Sequence, residues 1–306
     1  MATYTVGPAG DYATMSAAIA AATAGDTLQV LAAYVFDHGA EGIDYVHITK
    51  DNLTIESATG VTADAVIECD QGSPYYVINL HAGTTGTILS KLTLKQTYTG
   101  TTSANVINAQ SLNFTLSDCV LESPQYGIDR PGSGSVISRC HFKAVGVTVA
   151  GRSTAILRPV SGIITQSCLF ENWQQFVIYS PSGGSQVVRN CTIYMPTSTS
   201  SGVYGMWLAG HTNAVANCAF YSASVITAPL VISDHADNSV KNCVAFGFAS
   251  MVFTGLGGDI VQANNVGNAT VVTPVFVNLG TDFHPDPDGS AYQAGDASLA
   301  ATTDID

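Results

Sequence analysis

His211 and His235 stand 24 residues apart, and each lies four places after a residue of a short apolar run: Trp207 in Gly205-Met206-Trp207-Leu208 and Val231 in Leu230-Val231-Ile232. Arg152 follows Thr148 at the same distance. If 24 residues is one structural period, these side chains share a face. With Asp234 and Asp237 beside His235, that face has the makings of a general base or a metal-binding site, and the Trp207 indole adds a platform for stacking sugar. The plainer reading of the same residues is a solvated turn, because only a perturbed titration marks such groups as functional. Tyr179 and Trp173 are candidate glycan contacts on similar grounds, with packing in a core or interface as the weightier alternative. No cofactor and no resident metal is expected.

Six of the seven cysteines occupy one position of a recurring pattern, apolar-x-polar-Cys-x-apolar, as in Leu116-Ser117-Asp118-Cys119-Val120-Leu121 and Val188-Arg189-Asn190-Cys191-Thr192-Ile193. Cys140, Cys168, Cys218 and Cys243 sit in the other copies, with Thr165 the one departure at the first apolar position. From Leu92, through these cysteines, to Asn265 the motif advances 173 residues in seven steps, about 25 per repeat. The text between motifs is Val, Ile, Phe and Thr broken by Gly, Ser, Pro and Asn, which suits strands and turns and leaves no room for two amphipathic helices per repeat. A second strand recurs after each cysteine, over Gly127–Asp129, Gly146–Val149, Phe176–Tyr179, Gly205–Leu208, Leu230–Ile232 and Met251–Phe253. The uneven spacing then reflects turns that bulge outward, with 153–159 and 197–201 read as surface loops.

Coils stacked about 4.8 Å apart make the cysteines an internal ladder. Parallel Cβ vectors at that spacing exceed the roughly 3.8 Å that a disulfide prefers, and the motif has neither a CxxC nor a His pair at zinc spacing. Buried, reduced thiols acting as small hydrophobes are the expectation. The fold class is therefore all-β: a single right-handed parallel β-helix, divided into an N-terminal strand and cap helix over 1–27, coils over 28–270 and an acidic closing segment over 271–306. Thr14 is the expected N-cap of a helix over Met15–Ala24, whose Met15, Ala18, Ile19 and Ala22 form an apolar face, with Gly25 at the C′ position.

Of the 306 residues 46% are hydrophobic and 11% charged, with 29 Gly, a composition for burying much surface and turning often. The net charge of −13 repels phosphate backbones and anionic lipid headgroups, so neither nucleic acid nor membrane is an expected partner. The run Ala17–Ala24 imitates a signal-peptide core but has no basic residue ahead of it, the first being Lys50, so no signal peptide is expected.

The segment Gly10-Asp11-Tyr12-Ala13-Thr14, the helix after it, and Gly25-Asp26-Thr27-Leu28-Gln29-Val30 together resemble the opening of the pectin-lyase-like parallel β-helix superfamily. Thr273-Pro274-Val275-Phe276-Val277-Asn278, Asp282-Phe283 and Gly289–Asp296 resemble its closing segment. The resemblance implies the fold across nearly the whole chain; for activity it implies a choice among polysaccharide lyases, glycoside hydrolases, esterases, phage tailspikes and inert coils. Lyases of this kind join clustered acids to a Lys or Arg base, and Asp129-Arg130 is the nearest equivalent here. The polygalacturonase-like signature is absent, and the central coils hold no evident pair of carboxylates for glycoside hydrolysis. The resulting expectation is a phage-type virion component, capsid-decorating, fibre or tailspike-like, without clear catalysis. It would be assembled in the host cytoplasm, self-associated as a homotrimer beside other virion proteins, and able to bind a surface polysaccharide. The alternative is a polysaccharide lyase or glycoside hydrolase acting along the groove.

Overall fold

In the computed structural model the residues described are 1–32, 34, 36, 41, 45–69, 76–99, 104–146, 153–195, 204–226, 228–232, 235–248, 261–263, 265–268, 276–278 and 282–285. Each coil contributes three short strands to three parallel sheets of eleven, nine and eight strands. One coil shows the plan: Thr115–Ser117 belongs to the first sheet, Val120–Ser123 to the second and Tyr126–Asp129 to the third, after which Val136–Ser138 returns to the first. Like stacks on like inside. Leu89, Leu116 and Ile137 follow one another in the first sheet, Ile107, Ile128, Ile156 and Ile178 in the third, and Phe142 lies 4.9 Å from Phe170 in the second. Thr165, which breaks the apolar pattern in the sequence, takes the same inward row after Ile137 and is buried there.

The thiol column is present as expected: Cys119, Cys140, Cys168, Cys191, Cys218 and Cys243 are free and buried, and so is Cys69. They stand at the corner between the first and second sheets. The residue before each of the six has φ between 51° and 54°, namely Asp118, Arg139, Ser167, Asn190, Asn217 and Asn242. The left-handed conformation turns the chain within a single residue, and asparagine tolerates it better than most L residues. Each thiol donates to the carbonyl two residues earlier, at 3.2 to 3.3 Å. Cysteine thus supplies a small apolar volume and a weak donor at one point, which explains its recurrence. Burial pushes the Cys119, Cys168 and Cys218 thiols well above the ordinary range, so they stay protonated and unreactive.

At the N-terminus Thr3–Val6 pairs with Thr27–Val30, and the helix between them buries Met15, Ala18 and Ile19. Thr14 caps it, accepting from Ala17 N at 3.3 Å. The helix is shorter than the sequence suggests. It ends at Ala21 because Ala22 is already extended at ψ 150°, so Gly25, with φ +87°, serves the turn into Thr27–Val30 and not a helical C′ position. Two loop and strand expectations also change. In the coil after Cys140 the third-sheet strand is Thr154–Leu157, inside the segment read as a surface loop, because this run brings Ala155 and Ile156 into the core in register with Tyr126–Asp129. Residues 147–149, 197–201 and 251–253 lie outside the described residues. At the far end only the antiparallel pair Phe276–Asn278 and Asp282–Pro285 is described. No described helix is long and apolar enough to cross a membrane.

Candidate functional site

The strands of the third sheet break simple alternation. Two successive residues turn inward in most of them, such as Val77 and Ile78, Val106 and Ile107, Ala155 and Ile156, so the residues on either side, three apart, flank a bend in the outer surface. This creates two outer rows. One runs Tyr76, Asn105, Tyr126, Thr154, Phe176; the other runs His47, Asn79, Asn108, Asp129, Leu157, Tyr179, Trp207, Val231. Gly127 fits between the rows because a Cβ there would meet Ala155 O at 2.4 Å.

A cleft of about 360 Å³ opens on this bend, lined by Tyr76, Asn105, Tyr126, Asp129, Arg130, Leu157 and Arg158. Asp129 is buried and receives a two-pronged bond from Arg158, Nε at 3.1 Å and Nη2 at 2.7 Å. Arg130 Nε stands 3.8 Å from the same carboxylate, and its side chain is 49% exposed. Both arginines hold the left-handed conformation, φ 53° and 50°, immediately after their strands. They are therefore fixed at equivalent corners of successive coils. With one acid and two guanidinium groups the cleft carries a net charge of about +1 in a chain of −13. On its floor Asn105 is nearly fully buried, and its Oδ1 is buried without a hydrogen-bond partner. Burial first, then the Asp129 charge, push the Tyr76 phenol up, which keeps it a neutral hydroxyl donor.

Two or three coils further on, the same surface becomes aromatic. Tyr204 lies 5.4 Å from Trp207, Phe176 lies 4.6 Å from Tyr179, and Tyr179 and Trp207 are 6.3 Å apart. At the opposite end His47 neighbours His81 at 5.6 Å and Tyr45 at 5.8 Å. Burial and the His81 charge lower the pKa of His47, whose Nε2 has no partner.

The expected site residues divide accordingly. Asp129 and Arg130 meet in the cleft, and Tyr179 and Trp207 share the aromatic strip. Trp173 takes the packing alternative and not the glycan contact: it is 1% exposed and its Nε1 donates to Phe142 O at 3.1 Å, so it is core and out of reach of a glycan. His211 and His235 do stack, centroids 3.9 Å apart, and His235 Nδ1 is 3.4 Å from Asp237 Oδ2. They sit in the turns between the third and first sheets, apart from the cleft residues. Asp234 and Arg152 lie outside the described residues. No group of three or more metal-ligating side chains occurs among the described residues.

Arg158, Tyr76, Asn105 and Tyr126 were not anticipated. A signal for Arg158 does exist: Ile128-Asp129-Arg130-Pro131 and Ile156-Leu157-Arg158-Pro159 repeat the frame Ile-x-Arg-Pro at 28 residues, the Cys140 to Cys168 spacing. Tyr76 and Asn105 carry no comparable mark, since the row they occupy changes residue type from coil to coil.

Comparison with known proteins agrees with this architecture. A family model described as "Right handed beta helix region" matches residues 78–278. No curated protein matches the sequence. Among solved structures, a pectate lyase is similar over 92% of this chain and 84% of its own, with 11% identity and a TM-score of 0.64. A rhamnogalacturonan lyase is similar over 91% of both chains, at 13% identity and a TM-score of 0.58. An alginate lyase from Paenibacillus sp. is similar over 87% of this chain and 97% of its own, at 14% identity and a TM-score of 0.54. Identities this low speak to the fold alone.

Proposed function

Because this chain belongs to the right-handed β-helix family, we propose that it is a polysaccharide-binding β-helix, borne on a virus particle, that holds a glycan along the outer face of its third sheet. One observation carries the reading: the arginine cleft and the aromatic strip lie on the same two rows of one sheet, forming a continuous track along the stack. Guanidinium groups take carboxylate and hydroxyl oxygens, and aromatic rings take the apolar faces of sugars. The bidentate bond from Arg158 engages Asp129, so this carboxylate anchors a guanidinium in place of serving as a free base, which favours binding over turnover. The particle setting and threefold self-association rest on the sequence. On the first sheet the row Thr115, Val136, Ile164, Val187, Ala214 carries no charge, which suits close approach of symmetry copies.

The test is calorimetric titration with a panel of bacterial surface polysaccharides, with light scattering of the free protein alongside. Saturable binding that Arg130→Gln weakens at least tenfold, and a mass of three chains, support the proposal. Absence of binding to any glycan sinks it.

A second reading is favoured by Arg130, half exposed beside a carboxylate as a lyase base would be. The neighbouring pectate, rhamnogalacturonan and alginate lyases make β-elimination the reaction to assay. New ultraviolet absorbance from unsaturated sugar ends, abolished by Arg130→Ala, would replace the binding proposal with this one.

A further inference from the structure

Taking the glycan-binding reading as its premise, we infer that the site selects a heteropolysaccharide whose acidic sugars are separated by at least three uncharged ones, and discriminates against a chain with a carboxylate on every sugar. The track is chemically uneven. Its cationic part is confined to one place, where Arg130 and Arg158 face the cleft on either side of Asp129. From there the second outer row passes Leu157 to Tyr179 and then Trp207 and Val231, with no charged side chain after Asp129.

The spacing follows from the fold. Successive strands are about 4.8 Å apart, so Tyr179 lies about 10 Å and Trp207 about 14 Å along the stack from the Asp129 coil. A pyranose lengthens a chain by a step on the order of one strand spacing. An acidic sugar whose carboxylate meets Arg130 therefore places the second and third sugars beyond it over the aromatic rings. A ring face is the negative side of an aromatic quadrupole, and the strip is apolar and half-buried. A carboxylate held there loses hydration without gaining a donor. Uncharged sugars instead offer C–H faces to the rings. The protein as a whole, at −13, further disfavours a uniformly charged chain.

Three probes separate the possibilities at moderate salt: oligogalacturonate of eight sugars, with an acid on each; deacylated gellan fragments of two repeats, with one glucuronate in every four sugars; and the same fragments after reduction of their carboxyl groups. The expected order is gellan fragments tightest, with oligogalacturonate and the reduced fragments each at least tenfold weaker. Arg130→Gln, whose side chain is half exposed, should bring the native and reduced fragments to equal affinity while leaving thermal unfolding unchanged. Trp207→Ala should weaken both gellan forms and spare oligogalacturonate. Oligogalacturonate binding as tightly as the gellan fragments overturns the spacing inference and leaves the glycan reading standing. So does binding of none of the three while another polysaccharide of the panel binds. Failure of every polysaccharide takes down both.

Discussion

The corner that holds the cysteines and the outer face of the third sheet are built on the same repeat, yet they treat it oppositely. At the corner, equivalent positions keep their conformation and their thiol from coil to coil: a left-handed residue, then Cys, then a strand. On the outer third sheet the equivalent positions change at nearly every step, from Asn108 to Asp129, Leu157, Tyr179 and Trp207. The physical demands differ. Inside the tube each layer must match the one above in volume and hydrogen bonding, so identity is conserved along the stack. An outer row has to satisfy only solvent or a ligand, and variation along it can encode a ligand that is itself uneven. Regularity marks the scaffold, and departure from it marks the site.

The largest effect expected from breaking this contrast is at the corner. Cys191→Asp would place a carboxyl group in the buried thiol column, and should destabilise the protein by more than about 3 kcal/mol in denaturant unfolding. Trp207→Ala, in the variable row, should change stability by about 1 kcal/mol or less, because the ring is half-buried, while lowering glycan affinity at least about tenfold, equivalent to about 1.4 kcal/mol. If Trp207→Ala proved as destabilising as Cys191→Asp, the division into scaffold and site would fail.

A smaller effect sharpens the comparison from the second sheet, whose outer face is a ladder of compensating charges. Glu171 accepts from His141 Nε2 at 2.9 Å, and this bond, outweighing its partial burial, holds the carboxyl below the usual range. A depressed folded value means the stabilisation is complete above the unfolded value near pH 4.3 and is lost as pH falls through the folded one. Wild type should therefore lose on the order of 1 kcal/mol more than Glu171→Gln between about pH 6 and pH 3, measured by urea unfolding. Equal losses in the two proteins would show the pair to be inert.

These regions were also unequally legible in the sequence. The corner could be read because its requirement repeats: six cysteines in one frame fix the period, the inward direction and the parallel stack. Thr14 likewise declared the start of the cap helix, but nothing local announced that Ala22 would turn extended, since an alanine run has no preference for its own end. In the third sheet, paired inward residues defeat the alternation by which a half-buried strand is recognised, and the β-branched run Val147-Thr148-Val149 read as the strand in place of Thr154–Leu157. That displacement hid Arg158, half of the cationic cleft. Trp173 follows the weightier of its two readings: it comes after Glu171-Asn172 in a turn and has the type of a sugar platform, and the turn folds its indole inward onto the Phe142 carbonyl.

Hydroxyl-radical footprinting of the protein with and without a bound polysaccharide tests the central claim most directly, since it reads aromatic side chains on separate faces at once. Protection of Tyr76, Tyr126, Tyr179, Tyr204 and Trp207, with Tyr194 of the second sheet unchanged, is the predicted result. Protection of Tyr194, with the third-sheet rings still oxidised at the free rate, would contradict it.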